Sequence, residues 1–164
     1  MLRNLIILTL LLSGFILSNC SKNSDDNGTN TSSEGGTVTA TVDGKSWSAS
    51  EVVATRSGNI LTITGQAFPG GTGSEQLQII LSNITTSGDF ILSFLGNTGR
   101  FSTGDASKIT NYLTMDQNAG TVKVSSIDDK GAKGTFSFTV KNANNQTEVK
   151  KITNGSFDVI FSSN

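Results

Sequence analysis

Short runs of apolar residues at every second position recur through the chain after residue 36. Successive side chains of an extended strand point to opposite faces, so this spacing predicts strands with one buried face and one face in water. The segment 37–42, in which apolar residues alternate with Thr, is typical of such a strand. The other runs are Leu61, Ile63 and Ala67; Leu77, Ile79 and Leu81; Phe90, Leu92 and Phe94; Val122 and Val124; Phe136, Phe138 and Val140; and Phe157, Val159 and Phe161.

Turn residues separate these runs. Asp43-Gly44 and Asn154-Gly155 are dipeptides favoured in two-residue hairpins, because both central residues of that turn need positive φ. About nine or ten strands joined by short turns predict an all-β fold, which we interpret as an antiparallel β-sandwich with an up-and-down β-barrel as the alternative. Whether the first and last strands pair stays open at this stage. Further reversals are predicted at 57–59, 87–89, 118–120 and 129–131.

Two segments in the middle of the chain are less regular. In 105–115, helical spacing with Asp105 as a cap competes with a strand that buries Ile109, Leu113 and Met115, and we predict the strand. The glycine-rich segment 96–104 is predicted to be a long loop.

The first 20 residues have the pattern of an export signal. Arg3 precedes an apolar run of about 13 residues, which is too short to span a membrane but matches the core of a secretory signal. The sequence Leu17-Ser18-Asn19-Cys20 that follows resembles the lipobox of bacterial lipoproteins, and Cys20 is the only cysteine in the chain. We therefore expect residues 1–19 to be a lipoprotein signal peptide and Cys20 to carry acyl chains such as palmitate.

A polar segment follows this cysteine. Residues 21–36 contain no hydrophobic residue, so burial cannot offset the entropy cost of ordering them. We interpret 20–36 as the acylated Cys with a disordered tether, and 37–164 as a single all-β domain. The domain is expected to be anchored at the outer membrane, facing the cell surface or the periplasm.

Composition excludes several chemistries. The chain has no His, so it has no Ser-His-Asp or Cys-His relay and no His-ligated metal site. One Cys excludes an internal disulfide and a thiolate metal cage. The formal net charge of −1 provides no basic field for nucleic acid. No cofactor, metal or nucleic-acid partner is expected.

Several segments of the predicted domain together resemble a known group. They are Asp43-Gly44-Lys45-Ser46-Trp47, Gly134-Thr135-Phe136-Ser137-Phe138 and Asn154-Gly155-Ser156-Phe157. With the lipobox, they are similar to a family of small Bacteroidetes lipoprotein domains of unknown function. The resemblance implies an all-β lipoprotein and carries no catalytic or ligand-binding residue to this chain.

Four side chains are candidate ligand contacts. Arg100 and Phe101 lie in the predicted loop, where a guanidinium could bind a carboxylate or phosphate in bidentate fashion. Trp47 and Tyr112 could stack on a sugar ring, although an aromatic residue in such a place more often caps the end of a hydrophobic core. No catalytic or metal-binding residue is predicted.

The favoured function is a lipid-anchored, non-enzymatic binding or structural accessory domain of the cell envelope, with an unidentified glycan or protein partner. One alternative is an envelope glycan hydrolase that uses two carboxylates about 5 to 9.5 Å apart. Another is a small barrel that encloses an apolar ligand in an internal cavity.

Overall fold

The computed structural model describes residues 35–71, 73–105 and 107–162. The predicted signal peptide, Cys20 and nearly all of the predicted tether lie outside these residues. The described part is all-β, as predicted, with eleven strands and no α-helix. The strands are β1 (Gly36–Val42), β2 (Lys45–Ser48), β3 (Glu51–Ser57), β4 (Ile60–Ala67), β5 (Ser74–Leu81), β6 (Gly88–Leu92), β7 (Thr98–Asp105), β8 (Lys108–Leu113), β9 (Gly120–Ile127), β10 (Gly131–Asn142) and β11 (Val149–Ile160).

All the strands join one strongly curled antiparallel sheet. Its order is β2-β1-β11-β10-β8-β7-β5-β4-β3, and β9 and β6 branch off from β10. Most neighbours in the sheet are therefore also neighbours along the chain. The first and last strands pair, with Gly36 opposite Val159, which answers the question that the sequence left open.

The curl brings the free edge of β3 to the end of β11. Ala54 forms a parallel bridge with Phe161, and the Ser162 amide donates to the Ala54 carbonyl over 2.9 Å. Arg56 Nη1 donates to the Asp128 carbonyl over 3.2 Å. These contacts join the edge strand β3 to the end of β11 and to the turn between β9 and β10, so the curled sheet is close to a barrel.

The predicted apolar runs form the inner face of this sheet. Three phenylalanines cluster there, since the Phe136 ring centroid lies 5.8 Å from that of Phe138 and 6.4 Å from that of Phe157. Phe136 lies directly opposite Gly155, and Phe157 directly opposite Gly134. Each ring covers the glycine across from it, so the missing side chains make room for the aromatic layer.

The predicted turn at Asp43-Gly44 is confirmed, because both residues have positive φ, 48° and 82°. The turn predicted at Asn154-Gly155 is wrong. Both residues lie inside β11, where Asn154 has φ 49° and the register slips by one residue against β10. The same local conformation therefore forms a β-bulge here, because paired strands flank β11 on both sides.

The strand predicted within 105–115 is confirmed as β8, but its buried face is the other one. Tyr112 points into the core with 3% exposure, whereas Ile109 is 63% exposed. The alternation predicted for Phe90, Leu92 and Phe94 also stops early. Strand β6 ends at Leu92, and Phe94 lies outside the core.

Candidate functional site

The structure separates the four candidate side chains. The segment predicted to be a long loop is in fact largely strand β7, so Arg100 and Phe101 point to opposite faces of a sheet. Phe101 is buried and lies opposite Tyr112 of β8 on the inner face. Trp47 belongs to the edge strand β2. Of the four, Arg100 alone is exposed to solvent.

Trp47 packs at one edge of the core. Its ring lies close to Gly65 of β4, where a Cβ would be 3.1 Å from Cη2 of the indole. The indole Nε1 is buried and has no hydrogen-bond partner in the described part of the chain. A buried unpaired donor costs about 1–3 kcal/mol, so Trp47 contributes packing at the expense of one unsatisfied N–H.

Tyr112 belongs to a polar network at the rim of the core. Its hydroxyl donates to Glu148 Oε1, and Asn142 Nδ2 donates to Glu148 Oε2 over 2.7 Å. The ammonium of Lys150 lies 5.2 Å from the Tyr112 ring centroid. Burial and the Glu148 contact raise the pKa of Tyr112 to about 12, while the same hydrogen bond lowers the pKa of Glu148. These hydrogen bonds hold Tyr112 and Glu148 in place, so both side chains have a structural role.

Arg100 borders an open pocket of about 230 Å³ where the sheet divides. Strand β10 pairs with β9 as far as Phe138 and with β8 from Lys141, so the two branches separate between these residues. The pocket lies beside this division, at the end of β8. Its walls come from β5, β7, the end of β8 and the turn before β7, namely Ile80, Phe94, Thr98, Gly99, Arg100, Leu113 and Thr114.

The turn 93–97 beside this pocket is held firmly by hydrogen bonds. Asn97 Oδ1 accepts from the Ser82 amide over 2.7 Å, and Asn97 Nδ2 donates to the Ile91 carbonyl over 3.2 Å. The Ser93 amide donates to the Asn97 carbonyl over 2.7 Å. This turn nevertheless presents Phe94, 58% exposed, and Leu95, 92% exposed, to solvent.

The alternation from Phe90 onward predicts Phe94 in the core, so the period-two pattern does not point to these two residues as exposed. The available signal was Leu95 itself. Two consecutive large apolar residues cannot both point inward from one strand, and here they come directly before Gly96 and Asn97, a turn sequence.

Acidic residues of the described chain serve mainly local roles. The pKa values of Asp105 and Asp128 are lowered because each carboxylate accepts hydrogen bonds from its own turn. The pKa of Asp43 is lowered because hydrogen bonds from Lys151 and Lys150 outweigh its desolvation.

Among the described residues, no cluster of three or more His, Cys, Asp or Glu side chains could hold a metal ion. The same residues include no helix with the length and apolar character to cross a membrane.

Comparisons with curated proteins and with solved structures give no match. The family DUF6252, described as a domain of unknown function, matches residues 34–160. This range covers all eleven strands and the Arg100 pocket. The predicted relation to a family of unknown function is thereby confirmed, and the chain belongs to the DUF6252 domain family.

Proposed function

We propose that this protein is a lipid-anchored, non-catalytic binding domain of the cell envelope of a bacterium of the Bacteroidetes group, held at the outer membrane through Cys20. Its partner is a protein or a glycan of the envelope or the surroundings. The observation that carries the proposal is the turn that exposes Phe94 and Leu95 beside Arg100.

This surface has the features of an interaction site. Exposed apolar residues are common singly, but a rigid turn with two adjacent ones beside a pocket is a concentrated apolar feature. Because Asn97 already fixes the turn, little conformational entropy is lost when a partner covers it.

The position of the surface agrees with an N-terminal anchor. Gly36, where the chain enters the sheet, pairs with Val159 at the end of β11. The pocket borders Leu113, which pairs with Lys141 near the opposite end of the β10–β11 hairpin. The pocket therefore lies towards the end of the domain opposite to the point where the chain enters the sheet.

The acidic residues favour binding over glycan hydrolysis. A general acid needs a raised pKa. The structure instead lowers the pKa of each of four carboxyl groups, those of Asp43, Asp105, Asp128 and Glu148. One surface pocket contains both Asp128 and Asp158. However, Asp128 is engaged by its turn, and Asp158 pairs with Lys133 at 2.7 Å.

The core also disfavours an enclosed apolar ligand. The inward side chains of the strands, including Phe101 and Phe138, form one continuous hydrophobic cluster along the inside of the curl. A ligand at this site would compete with the protein's own side chains.

The anchor is tested with the full-length protein and a Cys20→Ala variant expressed in a related host. The mass of the N-terminal peptide and partitioning into detergent are measured. We expect the wild-type chain to begin at an acylated Cys20 and to partition with detergent, and the variant to do neither. An unacylated Cys20 in the wild type would refute the anchor.

The non-catalytic role is tested by incubating the protein with envelope glycans and measuring new reducing ends. We expect no release. Release that disappears in both Asp128→Asn and Asp158→Asn would establish the hydrolase instead, and Asp116→Asn, which removes an exposed acid outside that pocket, is the matched control.

A further inference from the structure

The pocket beside Arg100 has a specific chemistry. We infer that it binds a carboxylate that carries a compact apolar group. This inference rests on the proposed function, since it names the ligand class of the same surface.

The positive charge of Arg100 is not compensated locally. Its cross-strand neighbours are Gln78 on β5 and Leu113 on β8, both uncharged. The cation one position further across the sheet, Lys141, is already paired with Asp116 at 2.7 Å. Among the described residues, no carboxylate forms an ion pair with the Arg100 guanidinium. This planar group suits a carboxylate, to which it can donate two parallel hydrogen bonds.

The rest of the pocket is mostly apolar. Ile80, Phe94 and Leu113 contribute side chains to its walls. The volume of about 230 Å³ is below the usual range of about 300–1,000 Å³ for drug-sized ligands, so the pocket suits a compact apolar group.

Two polar groups in the pocket, those of Gly99 and Thr114, are already paired with each other. The Gly99 amide donates to Thr114 Oγ1 over 3.2 Å, and the Thr114 amide donates to the Gly99 carbonyl over 3.0 Å. Arg100 is therefore the charged donor that selects the ligand. A ligand of this class places its apolar group against Phe94 and its carboxylate on the guanidinium.

The inference is tested by titrating the ¹⁵N-labelled full chain in detergent micelles with phenylacetate and, separately, with uncharged phenylacetamide. For a ligand of this size we expect a Kd on the order of 1 to 10 mM for phenylacetate. Amide shifts should centre on Gly99, Arg100 and Thr114. Equal binding of the two probes, or shifts spread over the whole surface, would overturn the inference.

Three variants identify the residue responsible. Arg100→Gln should weaken binding at least about tenfold, because a charge-assisted hydrogen bond is lost. The Kd of Arg100→Lys should lie between those of the wild type and Arg100→Gln, because an ammonium keeps the charge but lacks the planar guanidinium. Lys45→Gln removes an exposed cation outside the pocket and should leave the Kd unchanged. An unchanged Kd in Arg100→Gln, with an otherwise unchanged amide spectrum, would overturn the inference.

The natural source of the carboxylate is distinguished by the tripeptide Ala-Ala-Phe and its C-terminal amide. Tighter binding of the free-acid peptide than of phenylacetate would assign the pocket to the C-termini of peptide chains. Weaker binding would assign it to free organic acids. If neither acid binds while an envelope partner still cross-links at Leu95, the ligand class is wrong and the proposed binding surface stands.

Discussion

Replacing Gly155 by Ala tests the packing of glycines beneath aromatic rings in this sheet. A Cβ at Gly155 would lie 2.2 Å from Cδ2 and Cε2 of Phe136. Real Cβ contacts are essentially never shorter than 3.0 Å, so one of the two groups has to move. The backbone of Gly155 is held between β10 and β1, which leaves the ring as the group to be displaced.

The ring has little room to move. Phe136 is 4% exposed and is flanked by Phe138 and Phe157 at centroid distances of 5.8 and 6.4 Å. Overpacking of this kind costs about 1–3 kcal/mol, and the crowded surroundings place Gly155→Ala in the upper half of that range, at about 2–3 kcal/mol of unfolding free energy.

Urea unfolding measures this loss. With a slope of about 1–3 kcal/mol per molar urea, a loss of about 2–3 kcal/mol should lower the midpoint by about 0.7 to 3 M. Gly88→Ala is the matched control, because its Cβ would meet nothing closer than Phe90 Cε2 at 3.9 Å. We expect that control to stay within about 0.5 kcal/mol of wild type.

A double variant separates the clash from other effects. Phe136→Leu removes part of the ring, so Gly155→Ala should cost less in that background than in the wild type, giving a coupling of about 0.5–3 kcal/mol. Equal midpoints for Gly155→Ala and Gly88→Ala, or additive effects in the double variant, would show that the ring does not depend on the glycine.

Three further predictions concern single contacts. Trp47→Ala should lower the unfolding free energy, measured in urea, by about 3–5 kcal/mol. Trp47→Phe should lower it by less than about 1.5 kcal/mol, because Phe keeps a ring in the core and lacks the unpaired Nε1 donor. Equal losses for the two variants would contradict this prediction. Because the pKa of Tyr112 is raised, its network adds stability below pH 10, and this stability is lost as the pH rises towards 12. Because the pKa of Glu148 is lowered, the same network adds stability above pH 4.5, and this stability is lost in more acidic solution. The urea midpoint of Tyr112→Phe should therefore vary less with pH in both windows, and an unchanged pH profile would refute the network. Arg56→Gln should cost about 1 kcal/mol or less and should speed hydrogen exchange of the Ser162 amide, while unchanged exchange would show that this side chain does not support the closure of the sheet.

The sequence predicts the fold well because a strand with one buried face has apolar residues at every second position. Phe136, Phe138 and Val140 are all buried, as are Leu77 and Ile79. Tyr112 is an exception for a physical reason. Its hydroxyl reaches Glu148 at the rim, so an amphipathic aromatic side chain takes the inner face while Ile109 stays in water.

Long-range pairing explains the other differences. Asn154-Gly155 favours positive φ in any context, and only the neighbours of β11 decide between a turn and a bulge. The strand that contains Arg100 likewise depends on pairing with β5 and β8, because Gly99 and Gly104 weaken any local preference for a strand. The pocket arises where β8 and β9 diverge from β10, a feature of topology that no local pattern carries.

Photo-cross-linking in intact cells tests most directly whether this chain is an anchored binding domain. Benzoylphenylalanine is placed at Leu95 of the full-length protein. As a control, it is placed at Ile160, the last residue of β11, which is 58% exposed. We predict a discrete adduct with an envelope component from position 95, absent from position 160 and absent when Cys20→Ala is also present. No adduct from position 95, or the same adducts from both positions, would contradict the proposed function.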